Sequence, residues 1–326
     1  MNDFMTSVPV LLVLGAILIP VGVFAYLGIG ERLLTLVSPR LRVNLRPWYW
    51  ISIPLILAVV ILVYPLLNTV YLAFTDAEGH GWVGWDNFAW SFGEAMRPVL
   101  RNNVLWLTIF PLGTLILAML AAVLFDRVEY EKLAVTLIVL PTAVSFTAGA
   151  VIWRQIYTYS PGNMEQRGLL NALWTLIPGA EPIAWLQTPI LNTLALIFVA
   201  IWLGLGLSTL ILSAAIKNVP TELVEAMRLD GAGEVRIFFQ LTLPVIWPAV
   251  LVVVTHALIA GLKTFDIVYV MTNGNYETDV IANRMYSELF AANNLGHASA
   301  IAVLLLVCAL PVVALNIRSS RMEEKV

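Results

Sequence analysis

The chain has 326 residues, of which 60% are hydrophobic and 12% charged, and its mean hydropathy is +0.86. A soluble domain carries about 25% charged residues, so this composition excludes a soluble globular enzyme and indicates an integral membrane protein. The net charge of −3 gives no electrostatic basis for binding nucleic acid. Cys308 is the single cysteine of the sequence, which excludes an intramolecular disulfide framework.

Seven stretches of the sequence contain no Asp, Glu, Lys or Arg. An α-helix needs about 20 residues to cross about 30 Å of hydrocarbon, and charged side chains are costly there. The stretches are rich in Leu, Ala and Val, without the alternation of membrane β-strands. We therefore predict an all-α polytopic membrane protein with seven crossings, at 4–30, 47–75, 102–125, 133–153, 182–216, 237–262 and 289–317.

The positions of the basic residues predict the orientation, because Lys and Arg are enriched in cytoplasmic loops. With the N-terminus outside, twelve of the 18 Lys and Arg residues fall on the inner side and six on the outer side. The C-terminus is then cytosolic. No basic residue precedes the first stretch, so we expect a retained helix and not a signal peptide. Residues 1–46 are predicted to form this extra N-terminal transmembrane helix with a basic cytosolic linker, and residues 47–326 the main transmembrane domain.

The inner loop at 217–243, which we call the elbow, is the most informative stretch of the sequence. Thr221 is predicted to cap a short helix that ends at Gly231. A second amphipathic piece covers 237–241 and ends at Pro244, where the next crossing begins. Two short helices of this kind are suited to docking a cytosolic protein.

The elbow resembles the signature EAA(x3)G(x9)IxLP of permease subunits of binding-protein-dependent ABC importers. The residues at the signature positions are Glu225, Ala226, Met227, Gly231, Leu241, Leu243 and Pro244, with Met227 and Leu241 in place of an alanine and an isoleucine. The resemblance extends from about residue 47 to the end. It is strongest to the sugar-importing group of maltose and glycerol-phosphate permeases, and within it to the α-glucoside branch. The chain departs from many sugar permeases at 273–275, where it has Asn-Gly-Asn in place of Gly-Gly-Pro.

This resemblance implies a six-helix permease core that pairs with a second permease subunit. It also implies two cytosolic ATP-binding cassette subunits, which would bind the ATP and magnesium, and an external solute-binding protein. The chain itself is expected to have no catalytic residue, metal site or cofactor, and its sequence has no phosphate-binding loop. Glu225 and the elbow would dock on the ATPase.

The expected location is the bacterial cytoplasmic membrane, and the expected solute is an α-glucoside or a related oligosaccharide or polyol glucoside, with glycerol phosphate as the alternative.

The solute path is expected among the crossings that flank the elbow. A sugar needs polar groups that match its hydroxyls and an aromatic face. For each Ser or Thr, a hydrogen bond to a helical carbonyl is an alternative role, and the histidine has the alternative of a neutral group satisfied between helices. The candidate path residues are Ser145, Trp153, Asn192, Trp202, Thr255 and His256.

Other functional classes have less support in the sequence. An ion-coupled secondary transporter needs buried carboxylates, and no Asp or Glu lies in any of the seven stretches. An intramembrane zinc protease needs HExxH, which the sequence lacks. A non-catalytic scaffold remains open on composition alone.

Overall fold

The computed structural model describes residues 2–125, 128–162 and 164–323, and this part of the chain is nearly all helical. The β-structure of the described residues is a single isolated bridge between Thr75 and Trp82. The all-α prediction is therefore confirmed. Arg127 and Lys325, which contribute to the predicted orientation, lie outside the described residues. The chain divides into two compact units, Met1–Asn68 and Thr69–Val326.

The first unit is a pair of helices joined by a short turn. Glu31 accepts hydrogen bonds from Arg46 Nε at 2.8 Å and from Trp50 Nε1 at 2.6 Å. The rings of Tyr26 and Tyr49 stack with their centroids 4.7 Å apart. These contacts hold together α1 (Asn2–Thr35) and α2 (Pro39–Ala58), after which come a π-helical stretch (Val59–Val63) and α3 (Tyr64–Leu72). The predicted domain boundary after residue 46 falls inside α2, and the division at that residue stays a prediction.

The second unit is organised around three packed helices, α5, α9 and α13. Its helices are α4 (Asp86–Ser91), α5 (Arg97–Phe125), α6 (Glu131–Val139), α7 (Phe146–Ile156), α8 (Leu169–Trp174), α9 (Leu191–Lys217), α10 (Thr221–Leu229), α11 (Glu234–Ile237), α12 (Leu243–Val245), α13 (Trp247–Leu262), α14 (Asp266–Met271), α15 (Ile281–Phe290) and α16 (Leu295–Glu323). One hydrophobic cluster joins α5, α9 and α13 to α7 and α14, and a second joins them to the elbow. A third cluster joins α5 to α15 and α16.

Five helical stretches of the described residues are long and apolar enough to cross a membrane. They are Ala16–Thr35, Pro39–Leu72, Glu94–Phe125, Leu191–Lys217 and Leu295–Val312. Two further helix pairs qualify only together, and they are bent by 101° and 73°. The number of crossings reaches the predicted seven if each bent pair is one span. The exact count and the orientation stay predictions.

The two bent pairs fall in the predicted crossings 133–153 and 237–262. Pro141 lies in a 3-10 turn (Leu140–Ala143) between α6 and α7. Ser145 then caps α7, its hydroxyl accepting from the backbone N–H of Ala148 at 3.2 Å. The second break falls at Ile246, between α12 and α13, with Pro248 in the next turn. Proline has no N–H to donate, so the helical bonding ends at both places.

Helix α9 passes very close to the first break at Gly206. A Cβ at this position would lie 2.4 Å from Thr142 Oγ1 and 2.7 Å from Val139 Cα. We therefore expect Gly206→Ala to destabilise the protein by about 1–3 kcal/mol through overpacking, measured as a lower thermal unfolding midpoint in detergent. Gly204→Ala is the matched control, because the nearest atom, on Phe110, would be 3.9 Å away. Equal midpoints for the two variants would contradict this tight contact.

Candidate functional site

The elbow, residues 217–243, contains α10, α11, the turn that joins them and the π-helical stretch Phe238–Thr242. Thr221 is the first residue of α10 and not its cap, because Pro220 occupies the capping position and no side chain bonds to the first turn. The prediction for Thr221 is therefore wrong. An ion pair between Arg228 Nη2 and Glu234 Oε1, 3.0 Å apart, connects α10 to α11.

Gly231 ends α10 in a left-handed turn. Its φ is +81°, and its N–H donates to the carbonyl of Arg228 at 3.0 Å. The next N–H, of Ala232, donates to the carbonyl of Met227 at 3.0 Å. This bonding pattern favours glycine because a side chain is strained at positive φ. The space around Gly231 is open, so backbone conformation and not packing explains the glycine of the signature.

The elbow has an inner and an outer surface. Leu241 and Leu243 pack against the second hydrophobic cluster, whereas Ala226 and Pro244 are exposed. Glu225 lines a cavity of about 730 Å³ beside α10, which we call the elbow cavity. Large apolar side chains also face outward, namely Leu223, Leu229, Val235 and Phe239. Exposed apolar side chains around a charged cleft are typical of a protein-docking surface.

Two of the predicted path residues are in contact. The rings of Trp153 and Trp202 meet edge to face with their centroids 5.6 Å apart, and Phe198 packs on Trp153 in the same way. The indole N–H of Trp153 is buried and has no hydrogen-bond partner within the described residues. An aromatic surface with an unused donor has the groups that a sugar ring requires.

His256 lines a second cavity, of about 340 Å³, with Phe146, Lys263 and Asp266. Phe146 follows Ser145, so this cavity opens beside the first break and the start of α7. Thr255, next to His256, is buried. The structure thus places His256 on an accessible cavity wall and Thr255 in the packed interior.

Asn192 lies apart from the other predicted path residues. It is fully buried, its side-chain N–H donates to the carbonyl of Tyr276 at 2.7 Å, and its oxygen accepts from the N–H of Thr193 at 2.7 Å. Its amide is therefore engaged with backbone groups. It connects the start of α9 to residues 272–279, which we call the outer loop after the side of the membrane that the sequence predicts for it.

A buried asparagine on α5 also holds the outer loop. Asn102 donates to the carbonyls of Glu277 at 2.5 Å and of Asp279 at 2.9 Å. Burial raises the pKa of the Asp279 carboxyl above its usual range, while Asn283 and Arg284 act in the opposite direction. Asn102 is not among the residues predicted from the sequence, although two consecutive asparagines at the start of an otherwise apolar stretch were the available signal.

Comparison with known proteins places these features in a family. Residues 1–322 match the family described as binding-protein-dependent transport system inner membrane component. The chain is 44% identical over 265 residues to the osmoprotective compounds uptake permease protein GgtC of Synechocystis sp., covering 81% of this chain and 95% of that protein. It is 37% identical over 286 residues to the alpha-glucoside transport system permease protein AglF of Rhizobium meliloti, covering 87% and 85%.

Solved structures show the same fold. A chain from a bacterial ABC transporter involved in the import of the acidic polysaccharide alginate superposes with a TM-score of 0.72 at 22% identity, covering 88% of this chain and 99% of that one. A bacterial alginate ABC transporter in complex with an alginate pentasaccharide-bound periplasmic protein gives a TM-score of 0.69 at 23% identity, covering 86% and 95%.

Proposed function

Because the chain belongs to the family of binding-protein-dependent transport system inner membrane components, we propose that it is the permease subunit of an ATP-driven importer of α-glucosides or related oligosaccharides and polyol glucosides. The observation that carries the proposal is the identity of 37% and 44%, over most of both chains, to permeases named for α-glucosides and for osmoprotective compounds.

In this proposal the solute passes the cavity at His256 and the aromatic pair of Trp153 and Trp202. The cavity of about 340 Å³ is within the size range of small-molecule sites, roughly 300–1,000 Å³. The rings of Trp153 and Trp202 support the same path, because aromatic faces are surfaces on which a sugar ring packs. Ser145 caps the helix that begins beside this cavity and so positions its wall.

The elbow transmits ATP hydrolysis to this path. Glu225 and the exposed apolar residues of α10 and α11 dock on one of two ATP-binding cassette subunits, which hold ATP and magnesium. A second permease subunit completes the path, and an external solute-binding protein delivers the sugar. The chain lies in the bacterial cytoplasmic membrane with its N-terminus outside and its elbow in the cytosol.

Proteoliposomes that contain both permeases and both ATPase subunits test this function. With the cognate solute-binding protein outside and ATP inside, we expect accumulation of one or more of maltose, trehalose, sucrose and glucosylglycerol. Omission of ATP is the control and should abolish accumulation. Uptake of glycerol 3-phosphate alone would contradict the sugar assignment, and ion-gradient-driven uptake without ATP would support a secondary transporter instead.

A further inference from the structure

A third cavity, of about 490 Å³, lies between the end of α7, the turn before α9, α14 and the outer loop. Its lining combines aromatic and polar side chains and, among the described residues, contains no carboxylate. We call it the outer cavity. The residues that matter for its chemistry are Arg154, Tyr157, Gln187, Tyr269, Asn273 and Tyr276.

The outer cavity lies at the opposite end of α9 from the elbow. Asn192, at the start of α9, bonds to Tyr276 in the cavity wall, whereas Lys217, at its end, pairs with Glu131. The helix has 27 residues, which is about 40 Å at 1.5 Å per residue. If the elbow meets cytosolic ATPases, the outer cavity therefore faces the side from which the solute arrives.

Several polar groups of the outer cavity are available to a ligand. The side chains of Gln187 and Asn273 are exposed and make no hydrogen bond within the described residues. Arg154 donates one N–H to the carbonyl of Val270 at 3.2 Å and has no carboxylate partner in the described part of the chain. Tyr157 is buried, and its hydroxyl donates to the carbonyl of Ala195 at 3.4 Å, so it belongs to the wall and not to the available groups. The amides of Gln187 and Asn273 can donate to and accept from neutral hydroxyls, and Arg154 can donate to them.

The cavity also offers an aromatic face on an unusually constrained backbone. Tyr276 is 54% exposed, and its side chain has no partner among the described residues. It lies in a loop where Asn273, Tyr276 and Glu277 have φ values of +51°, +57° and +60°. Non-glycine residues in this region carry strain, and such strain persists where surrounding contacts impose it.

Three hydrogen bonds impose this conformation on the outer loop. Asn192 fixes the carbonyl of Tyr276, Asn102 fixes that of Glu277, and the hydroxyls of Thr272 and Thr278 are 2.6 Å apart. The loop thus fixes the backbone of Tyr276 beside the cavity before any ligand arrives. Such preorganisation lowers the cost of binding.

We propose that the outer cavity is a carbohydrate subsite, which holds one pyranose ring on the face of Tyr276 and hydrogen-bonds its hydroxyls through Gln187, Asn273 and Arg154. It is separate from the cavity at His256, and it receives the sugar first. The proposal rests on the proposed function for the identity of the ligand. The ligand class follows from the aromatic face of Tyr276 and from the uncharged amides of Gln187 and Asn273.

Protection of a cysteine from maleimide tests this subsite in membrane vesicles that contain the assembled transporter. Cys308→Ser removes the chain's own thiol, and Thr158→Cys places a reporter in the lining. The Thr158 hydroxyl donates to the backbone carbonyl of Arg154 at 3.1 Å and has no role in the proposed sugar contacts. Labelling of this chain is followed without ATP or binding protein, with maltose, trehalose, sucrose or glucosylglycerol as probe. A sugar at about ten times its dissociation constant should slow labelling roughly tenfold by mass action.

Matched variants distinguish protection by a sugar bound in the outer cavity from an indirect change in the labelling rate. Glu181→Cys, in the same outer segment but outside the lining, should label at an unchanged rate. Adding Tyr276→Ala to the reporter should raise the sugar concentration needed for protection about tenfold, whereas Tyr276→Phe, which keeps the ring, should not. Immunoblots confirm equal amounts of each variant in the membrane.

The outcomes separate this proposal from the proposed function. Unchanged labelling with a sugar that the wild-type transporter accumulates would overturn the subsite and leave the function intact. Equal protection by glycerol 3-phosphate would also overturn it, because Arg154 would then be binding an anion. Protection by a sugar that the proteoliposomes do not accumulate would support the subsite while the transport assignment fails.

Discussion

Replacing Glu225 with lysine is expected to lower ATP-driven uptake at least about tenfold, which corresponds to roughly 1.4 kcal/mol of lost coupling. Glu225 is exposed on α10 beside the elbow cavity and makes no hydrogen bond within the described residues. Its carboxylate is therefore available to a partner, and reversing its charge opposes that contact. The substitution breaks no hydrogen bond or ion pair that the described residues make, so the amount of permease in the membrane should not change. Uptake and binding-protein-stimulated ATPase activity of the same proteoliposomes measure the effect.

Glu222→Lys is the control for charge reversal on the same helix. Glu222 lies in the first turn of α10 and does not line the elbow cavity. We expect it to change uptake by less than about twofold, as for other exposed charges. A Glu225→Lys transporter with full uptake and full stimulated ATPase activity would remove the docking role of this residue.

Replacing Asn102 with leucine is expected to destabilise the protein by about 1–4 kcal/mol, because one buried and one partly buried carbonyl lose their donor, and a buried group left unsatisfied costs about 1–3 kcal/mol. The two carbonyls belong to Glu277 and Asp279, which are two residues apart near the end of the outer loop. The thermal unfolding midpoint should fall, and limited proteolysis should cut the outer loop faster than in the wild type. ATP-driven sugar uptake should fall together with the unfolding midpoint.

Arg101→Leu is the matched control, since Arg101 also contacts Glu277. Its ion pair, 3.1 Å long, joins side chains that are 45% and 54% exposed. Exposed pairs contribute about 0–1 kcal/mol, so this variant should unfold at nearly the wild-type temperature. Similar midpoints for the Asn102 and Arg101 variants would show that the buried amide is not what holds the loop.

The sequence predicted the helical class well because the physics involved is local. Charged residues are excluded from long helices in hydrocarbon, so the gaps between them locate helical stretches such as Leu191–Lys217. The bends were harder to predict. Pro141 and Pro248 mark possible breaks, but Pro54 and Pro111 lie inside continuous helices. Whether a proline bends a helix depends on what packs against it, which a sequence does not contain.

The elbow was predictable because its residues are close together in the chain. The turn at Gly231 needs only neighbouring backbone groups, and the structure confirms the glycine as the end of α10. The outer cavity was not predictable in this way. It brings Arg154 and Gln187 beside Asn273, and only the packing of α7, α9 and α14 makes them neighbours. Asn192 was selected as a path residue for its polarity, yet its amide bonds to a carbonyl of the outer loop.

The continuity of α9 has a mechanical consequence. The helix has no internal proline, and side-chain contacts at both of its ends fix it to neighbouring segments. Packed protein interiors are nearly incompressible and transmit strain. A displacement that an ATPase imposes at Lys217 would therefore reach Tyr276 as movement of a single rigid rod. Sugar binding in the outer cavity and nucleotide state in the cytosol would then be coupled through the movement of α9 itself, without a relay of intervening conformational changes.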